Sequence, residues 1–195
     1  KGIHLFLISF FLLIGLIAAY QNLDQLDYLK AMQGIPVQVE ILSEVQDSLG
    51  ILTDYQITTD KNTRIQLRVR KPNPISTPRP VILILGGMEV GKNSLQYIRD
   101  PSPNLLVAMD YPYRPKYWYK TKDFYKDLFL IRDALIRMVP DVLTVMDYLY
   151  TRSDVDTSRI CLAGYSFGAP FVPVLMECDK RFSAAVVAFG GGDIG

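Results

Sequence analysis

The amino-acid sequence predicts an α/β protein with a mostly parallel sheet, an antiparallel hairpin on its N-terminal side, and an incomplete C-terminal end. The hairpin is predicted by residues 55–59 and 63–70, where polar and apolar side chains alternate around the turn at 60–62. Four continuous apolar runs then follow, as strands buried on both faces require: residues 81–85, 105–109, 159–163 and 184–189. A helical period separates the second run from the third, and strands that alternate with helices indicate parallel pairing.

The segments around these strands carry further predictions. A helix is predicted near residues 23–32, and four prolines force a loop before the first parallel strand: Pro72, Pro74, Pro78 and Pro80. Between residues 123 and 151, apolar side chains recur at helical spacing, and Pro140 is expected to kink or split this helix. Residues 169–178 predict another helix, which Pro173 should bend.

The first twenty residues differ from the rest of the chain. Lys1 precedes an apolar run over residues 5–19, a pattern typical of a secretory signal peptide. We therefore predict a signal peptide or membrane anchor over 1–20, a linker or stalk plus the start of the domain over 21–50, and the N-terminal portion of the domain over 51–195. The protein is expected to be exported (periplasmic or secreted) or membrane-anchored, with residues 5–20 as the membrane-associating segment.

The composition excludes some classes of function. The 195 residues are 49% hydrophobic and 21% charged, with a formal net charge of +1, which is typical of a globular protein. No excess of Lys and Arg is present to predict a nucleic-acid partner. The single histidine, His4, lies in the predicted leader, and no cluster of metal-ligand residues occurs in the sequence. The sequence therefore predicts no metal and no cofactor.

One motif carries chemistry. The five residues from Gly164 to Gly168 (Gly-Tyr-Ser-Phe-Gly) match the G-x-S-x-G pattern at the end of the third buried strand. Such a turn places the Ser166 hydroxyl above the sheet, and the glycines allow strand and helix to approach without a Cβ clash. The motif alone is weak, but an apolar strand before it and an apolar helix after it favour a catalytic serine over an ordinary turn.

With this motif, residues 55–195 resemble the α/β-hydrolase family, and the stretch SRICLAGYSFGAP is most similar to its dienelactone hydrolase and prolyl-oligopeptidase-like esterase branches. The resemblance implies that Ser166 is the nucleophile of a serine hydrolase acting on a small-molecule ester or acyl substrate. It also implies that the backbone N–H of Phe167 forms half of an oxyanion hole. The second donor would be Gly87 or Met88, in the loop after the first parallel strand.

The rest of the catalytic triad is not assigned. In this family the acid and then the histidine follow the serine, but no histidine follows Ser166. Asp193 is a candidate for the acid, although a loop aspartate without a catalytic role is the stronger interpretation. We expect that the acid and the histidine lie beyond residue 195 and that this fragment alone is inactive. A non-catalytic α/β-hydrolase-like binding protein is the alternative.

A second motif points to another class. The residues from Gly86 to Lys92 follow a buried strand and nearly match the phosphate-binding pattern G-x-x-x-x-G-K-[ST]. Asp110, after the next strand, could serve as the acidic residue of a nucleotide site. Asn93, however, stands where a Mg²⁺-binding hydroxyl is required. A P-loop protein is therefore the less favoured prediction.

Aromatic residues interleaved with Lys and Arg follow Asp110, from Tyr111 to Tyr125. Three interpretations remain open for this segment. It could overhang the active site, lie at a bilayer interface where Tyr and Trp are favoured, or form a solvated loop over the sheet.

Overall fold

The computed structural model describes residues 25–73, 77–87, 89–99, 102–112 and 128–189. Within these ranges, seven strands form one sheet in the order β1-β2-β3-β5-β4-β6-β7. The strands are β1 (Pro36–Asp47), β2 (Gly50–Thr59), β3 (Arg64–Lys71), β4 (Arg79–Leu85), β5 (Leu105–Met109), β6 (Val155–Tyr165) and β7 (Ala184–Ala188).

The N-terminal side of the sheet is antiparallel. Strands β2 and β3 form the predicted hairpin, with Ile57 opposite Ile65 and with Asn62 in the turn at a φ of 56°. Asparagine tolerates this left-handed conformation better than most residues. Strand β1 pairs with β2 at the edge, so residues 36–47 of the segment predicted as linker and start of the domain belong to the sheet.

The centre of the sheet is parallel, as predicted. Strand β4 lies between β5 and β6, and β7 pairs with the far side of β6. Every residue of β5 is buried, and Val81 and Leu83 of β4 are fully inaccessible to solvent. The carboxyl ends of β4, β5 and β6 therefore meet at one edge, where ligands bind in open α/β sheets.

Three helices pack on one face of the sheet: α1 (Gln25–Ala31), α2 (Leu128–Tyr150) and α3 (Phe171–Cys178). A 3₁₀ helix (Gly91–Tyr97) covers the other face with the buried side chain of Leu95. Helix α2 continues through Pro140, so the prediction that this proline splits the helix is wrong. Packing outweighs the lost hydrogen bond, because apolar residues on both sides of Pro140 are fully buried: Met138, Val142, Val145, Met146 and Leu149.

Strand β7 corrects another prediction. Residues 184–189 were expected to form a strand buried on both faces, but Val186 and Val187 of β7 are each more than half exposed. The strand pairs only with β6, and the described elements leave both of its faces accessible to solvent. A continuous apolar run thus predicts a strand, whereas its burial depends on which elements pack against it.

None of the described helices combines the length and the hydrophobicity that a bilayer span needs. The predicted leader, residues 1–20, lies outside the described residues.

Candidate active site

Three loops meet at the carboxyl edge of the parallel strands. The G-x-S-x-G segment follows β6, the Gly86–Gly87 loop follows β4, and Asp110 and Tyr111 follow β5. Because these strands are neighbours in the sheet, the structure brings the predicted nucleophile and one predicted oxyanion loop to the same edge. Met88 and Asp193 lie outside the described residues.

Ser166 has the backbone conformation that the motif predicts. It follows the last residue of β6 and begins a 3₁₀ turn (Ser166–Gly168), with a φ of 52°. Left-handed backbone costs an ordinary L-residue roughly 1–2 kcal/mol. The Ser166 side chain is exposed, and its hydroxyl has no hydrogen-bond partner among the described residues. A strained turn thus presents an unengaged hydroxyl to solvent.

The two glycines of the motif are required for different reasons. A Cβ on Gly164 would lie 2.4 Å from Cγ2 of Val172, so this glycine lets α3 approach β6. A Cβ on Gly168 would lie 2.1 Å from the carbonyl oxygen of Leu85, so this glycine lets the turn approach the end of β4. The second clash would be with backbone, which cannot rotate away, so glycine at position 168 allows the serine turn to lie this close to the end of β4.

The prolines after the motif fit the start of helix α3. Pro170 is the N-cap residue, with a φ of −62°, and Pro173 is the third residue of the helix. The first N–H groups of a helix have no intrahelical acceptor, so neither proline breaks a helical hydrogen bond. Pro173, which the sequence suggested would bend the helix, occupies a position where proline is tolerated.

The loop after β4 carries the second predicted donor. The carbonyl of Gly87 accepts hydrogen bonds from the N–H groups of Val90 (3.0 Å) and Gly91 (3.1 Å). Within the described ranges, no turn or loop hydrogen bond uses the N–H group of Gly87 or of Phe167. Both groups are therefore candidate donors for an oxyanion. The Gly86 backbone is packed tightly, since a Cβ there would lie 1.9 Å from Oγ of Ser94.

Tyr111 was predicted only as the first residue of the aromatic segment, for which a position over the active site was one of three interpretations. Its ring is buried beside the serine turn, edge-on to Phe167 at 5.0 Å between ring centroids and 6.4 Å from Phe171. Its hydroxyl donates a hydrogen bond to the carbonyl of Gly86. Burial, with a smaller contribution from Tyr165, raises the pKa of Tyr111 well above its usual value. The phenol therefore stays protonated. The remaining aromatic residues of the predicted segment lie outside the described residues.

The residues of the near P-loop motif are engaged with the protein itself. The ammonium of Lys92 lies 2.8 Å from Oε1 of Gln66, 3.4 Å from Asp54 and 3.8 Å from Asp110. The N–H of Lys92 also donates to Asp110, at 3.0 Å. Asn93 accepts a hydrogen bond from Arg68 at 2.9 Å. A lysine in these contacts does not face an open phosphate site, so the geometry gives the P-loop interpretation no support.

The same cluster of charges shifts two pKa values. Partial burial alone would raise the pKa of Asp54, but the hydrogen bond and positive charge of Arg68, with help from Lys92, hold it below its usual value. The hydrogen bond to Asp54 raises the pKa of Arg68 against the opposing effect of burial. Both pKa shifts favour the charged forms, as expected for an ion cluster whose members stabilise one another. We therefore assign the cluster a structural role.

A polar cavity of about 390 Å³ opens beside the loop after β5. Its described lining includes Gln66, Asp110, Tyr111 and Asp141, and none of the residues 164–168. Burial raises the pKa of Asp141 to about 7, and Arg137 opposes this shift. The cavity is therefore lined by polar groups but not by the candidate nucleophile.

No histidine occurs in the described residues, because the only one in the sequence is His4. The described residues likewise contain no group of His, Cys, Asp and Glu side chains that could hold a metal ion. The described residues therefore contain a candidate nucleophile and candidate oxyanion donors, but no histidine that could act as a base.

The sequence matches no protein-family model and no curated protein. Solved structures do match. A provisionally assigned acetyl xylan esterase from Bacteroides fragilis superimposes with a TM-score of 0.65 at 16% identity, over 82% of this chain and 49% of that one. Acetyl xylan esterase 1 from Thermoanaerobacterium superimposes with a TM-score of 0.60 at 17% identity, over 85% of this chain and 56% of that one. A glucuronoyl esterase from Solibacter usitatus superimposes with a TM-score of 0.53 at 19% identity, over 83% of this chain and 56% of that one.

The chain thus spans about half the length of the structures that it matches. Identities below 20% establish the fold and not the activity. The same fold is indicated by the strand order, by the antiparallel strands on the N-terminal side of the sheet, and by the similarity to these solved structures. The chain therefore has an α/β-hydrolase-like fold.

Proposed function

We propose that the protein is a serine hydrolase that cleaves a carboxylic ester or a related acyl bond, with Ser166 as its nucleophile. The observation that carries this proposal is the conformation of Ser166. Ser166 is exposed, has left-handed backbone, and lies at the carboxyl end of a parallel strand between two glycines at which an added Cβ would clash. Strained backbone of this kind clusters at active sites.

The reaction follows from these groups. The oxygen of Ser166 attacks the substrate carbonyl carbon while a base accepts its proton, and the carbonyl oxygen becomes an oxyanion. The N–H of Phe167 and the N–H of Gly87 or Met88 donate to that oxygen. The tetrahedral intermediate then expels the alcohol, which takes up the proton, and water hydrolyses the acyl-enzyme by the same steps.

The base and its acid are proposed to be a histidine and an Asp or Glu beyond residue 195. Two facts support this placement: no histidine follows Ser166 in the sequence, and the chain spans about half the length of the esterases that it matches. Asp193 remains a candidate for the acid. Residues 1–195 alone are expected to be inactive, because a serine hydroxyl without a base is a poor nucleophile.

The leader and the substrate are also proposals. We propose that residues 1–20 export the protein or anchor it in the membrane, through the apolar segment 5–20. The names of the structural neighbours make acetylated xylan a polymer to test beside small acetyl esters. No cofactor and no nucleic acid enter the proposal.

The alternative is an α/β-hydrolase-like protein that binds a ligand or partner without cleaving it. The absence of a histidine after Ser166 in this sequence permits this alternative, but a base beyond residue 195 accounts for the same absence more simply. The two functions differ in whether the complete protein carries a reactive serine.

The test uses the protein expressed from its complete reading frame. We expect a fluorophosphonate probe to label it and 4-nitrophenyl acetate to be hydrolysed. Ser166→Ala should abolish labelling and lower kcat by at least about 10³-fold. Ser158→Ala is the matched control, since Ser158 is also exposed and follows the start of the same strand but bonds only Asp156. Labelling of Ser166→Ala would remove Ser166 from its role, and an unlabelled wild type would favour the binding protein.

A further inference from the structure

Tyr111 is the described side chain that contacts both halves of the proposed oxyanion hole. Its hydroxyl donates to the carbonyl of Gly86, and its ring packs edge-on against that of Phe167. Phe167 in turn contacts Phe171 at 5.7 Å between centroids, which ties the serine turn to helix α3. One buried phenol therefore joins the loop after β4 to the turn after β6.

The hydrogen bond to Gly86 also orients the next N–H group. A trans peptide unit is planar, so its C=O and N–H point in opposite directions. The carbonyl of Gly86 and the N–H of Gly87 belong to the same unit. Fixing that carbonyl on Tyr111 therefore fixes the direction of the Gly87 N–H, which has no acceptor of its own in the described part of the chain.

Glycine makes this restraint necessary. The Gly86–Gly87 peptide lies between two residues without side chains, and nothing closer than Cγ2 of Val90, at 3.7 Å, meets the Cβ position of Gly87. Such a unit can rotate more readily than one flanked by larger residues. A donor that must point at a developing negative charge gains from being fixed beforehand.

We propose that Tyr111 is a positioning residue that holds the Gly87 N–H and the Phe167 backbone in the geometry of an oxyanion hole. This inference rests on the proposed function, with Gly87 and not Met88 as the second donor. Tyr111 does not touch the substrate; it acts through the two peptide groups that do. If Tyr111 only packed its ring, it would stabilise the fold but would not favour the transition state over the bound substrate. A structural role and a positioning role can therefore be told apart by kcat per folded molecule.

The experiment compares Tyr111→Phe with Tyr148→Phe in the complete protein. Both tyrosines are buried and both hydroxyls are hydrogen-bonded, that of Tyr148 to Arg152 at 2.8 Å. Tyr148 lies on helix α2, away from the serine turn. For Tyr111→Phe we expect kcat for an ester to fall roughly threefold to tenfold, as one lost hydrogen bond would give. KM should stay within about twofold, because an oxyanion hole acts on the transition state.

A trifluoromethyl ketone supplies the second readout. It forms a tetrahedral adduct with a serine and so requires the oxyanion hole without turnover. Its inhibition constant should rise by the same factor as kcat falls in Tyr111→Phe, and should be unchanged in Tyr148→Phe. Thermal melts of all variants give the folded fraction to which each rate is normalised.

The outcomes are distinct. The inference is overturned if Tyr111→Phe keeps kcat within twofold per folded molecule, if its loss is confined to KM, or if Tyr148→Phe loses as much. If Tyr111→Phe does not fold, Phe167→Leu tests the ring contact with Tyr111, which it removes while it leaves the hydroxyl bond to Gly86. Unchanged kcat and ketone inhibition would then refute the claim that Tyr111 positions the Phe167 backbone. A wild type that neither labels nor turns over refutes the proposed function first, and this inference with it.

Discussion

Two glycine-containing turns lie side by side at the carboxyl edge of the sheet, and their central side chains differ. The turn after β6 presents Ser166, which is exposed and unengaged among the described residues. The loop after β4 leads to Lys92, whose ammonium lies within 4 Å of Gln66, Asp54 and Asp110. Both turns match, or nearly match, a functional motif in sequence.

This difference shows that the function of a sequence motif is best judged from the contacts that its reactive side chain makes in the structure. Lys92 has contacts from β2, from β3 and from the loop after β5, and its charge is satisfied where it stands. Ser166 stands in strained backbone and has no such contacts. A charged side chain such as Lys92, whose charge is paired within the fold, contributes to stability. A side chain such as Ser166, which is exposed in strained backbone and has no partner among the described residues, is a candidate for a chemical role.

The largest effect should come from Gly168, in the turn after β6. Gly168→Ala places a Cβ 2.1 Å from the backbone carbonyl of Leu85, and overpacking against rigid backbone should lower the free energy of unfolding by about 3 kcal/mol. Gly87→Ala meets nothing closer than 3.7 Å and should cost less than about 1 kcal/mol. Urea unfolding of both variants measures the two losses of unfolding free energy. Equal losses would contradict the expectation that only Gly168→Ala creates a clash.

Removal of the lysine should have a smaller effect. Lys92→Met leaves the buried carboxylate of Asp54 with Arg68 as its remaining cation and should cost about 1–3 kcal/mol of unfolding free energy. The control is Lys180→Met, whose exposed pair with Glu177 should contribute little to stability, because solvent screens it. Urea unfolding again provides the measurement. If Lys92→Met were as mild as Lys180→Met, the cluster would not be structural.

The smallest expected effect is the pH dependence of that cost. The pKa of Asp54 is lowered in the folded protein, so its pairing contributes stability that is present above its usual value of 3.8 and is lost as the pH falls through the lower folded pKa. The difference between wild type and Lys92→Met should therefore be constant between about pH 7 and pH 5 and shrink below about pH 4. Urea unfolding across this range measures it. A difference that grows in acid would show that Asp54 is not the partner that matters.

Local patterns predicted much of the fold. Alternating polarity in β2 and β3 identified the hairpin, and the apolar runs of β4 and β5 identified strands that are buried, because these signals depend on residues within one segment. The serine turn could be predicted for the same reason, since the glycines needed at the close approaches lie within five residues of each other.

What the sequence could not predict depends on distant partners. Tyr111 reaches Gly86, 25 residues earlier, and Phe167 after β6, and no local spacing signals either contact. The burial of Lys92 depends on β2 and β3, which precede it in the chain. The exposure of Val186 depends on what covers an edge strand. The roles of the site residues themselves remain predictions that the proposed experiments test.

The conformation of Ser166 also has an evolutionary consequence. Three described residues other than glycine have positive φ: Asn62, Ser166 and Phe189. Asparagine suits this conformation, whereas serine and phenylalanine do not. Glycine at position 166 would relieve strain of roughly 1–2 kcal/mol. If Ser166 is the proposed nucleophile, selection for thermal stability and selection for hydrolysis favour different residues at this position, glycine for stability and serine for activity.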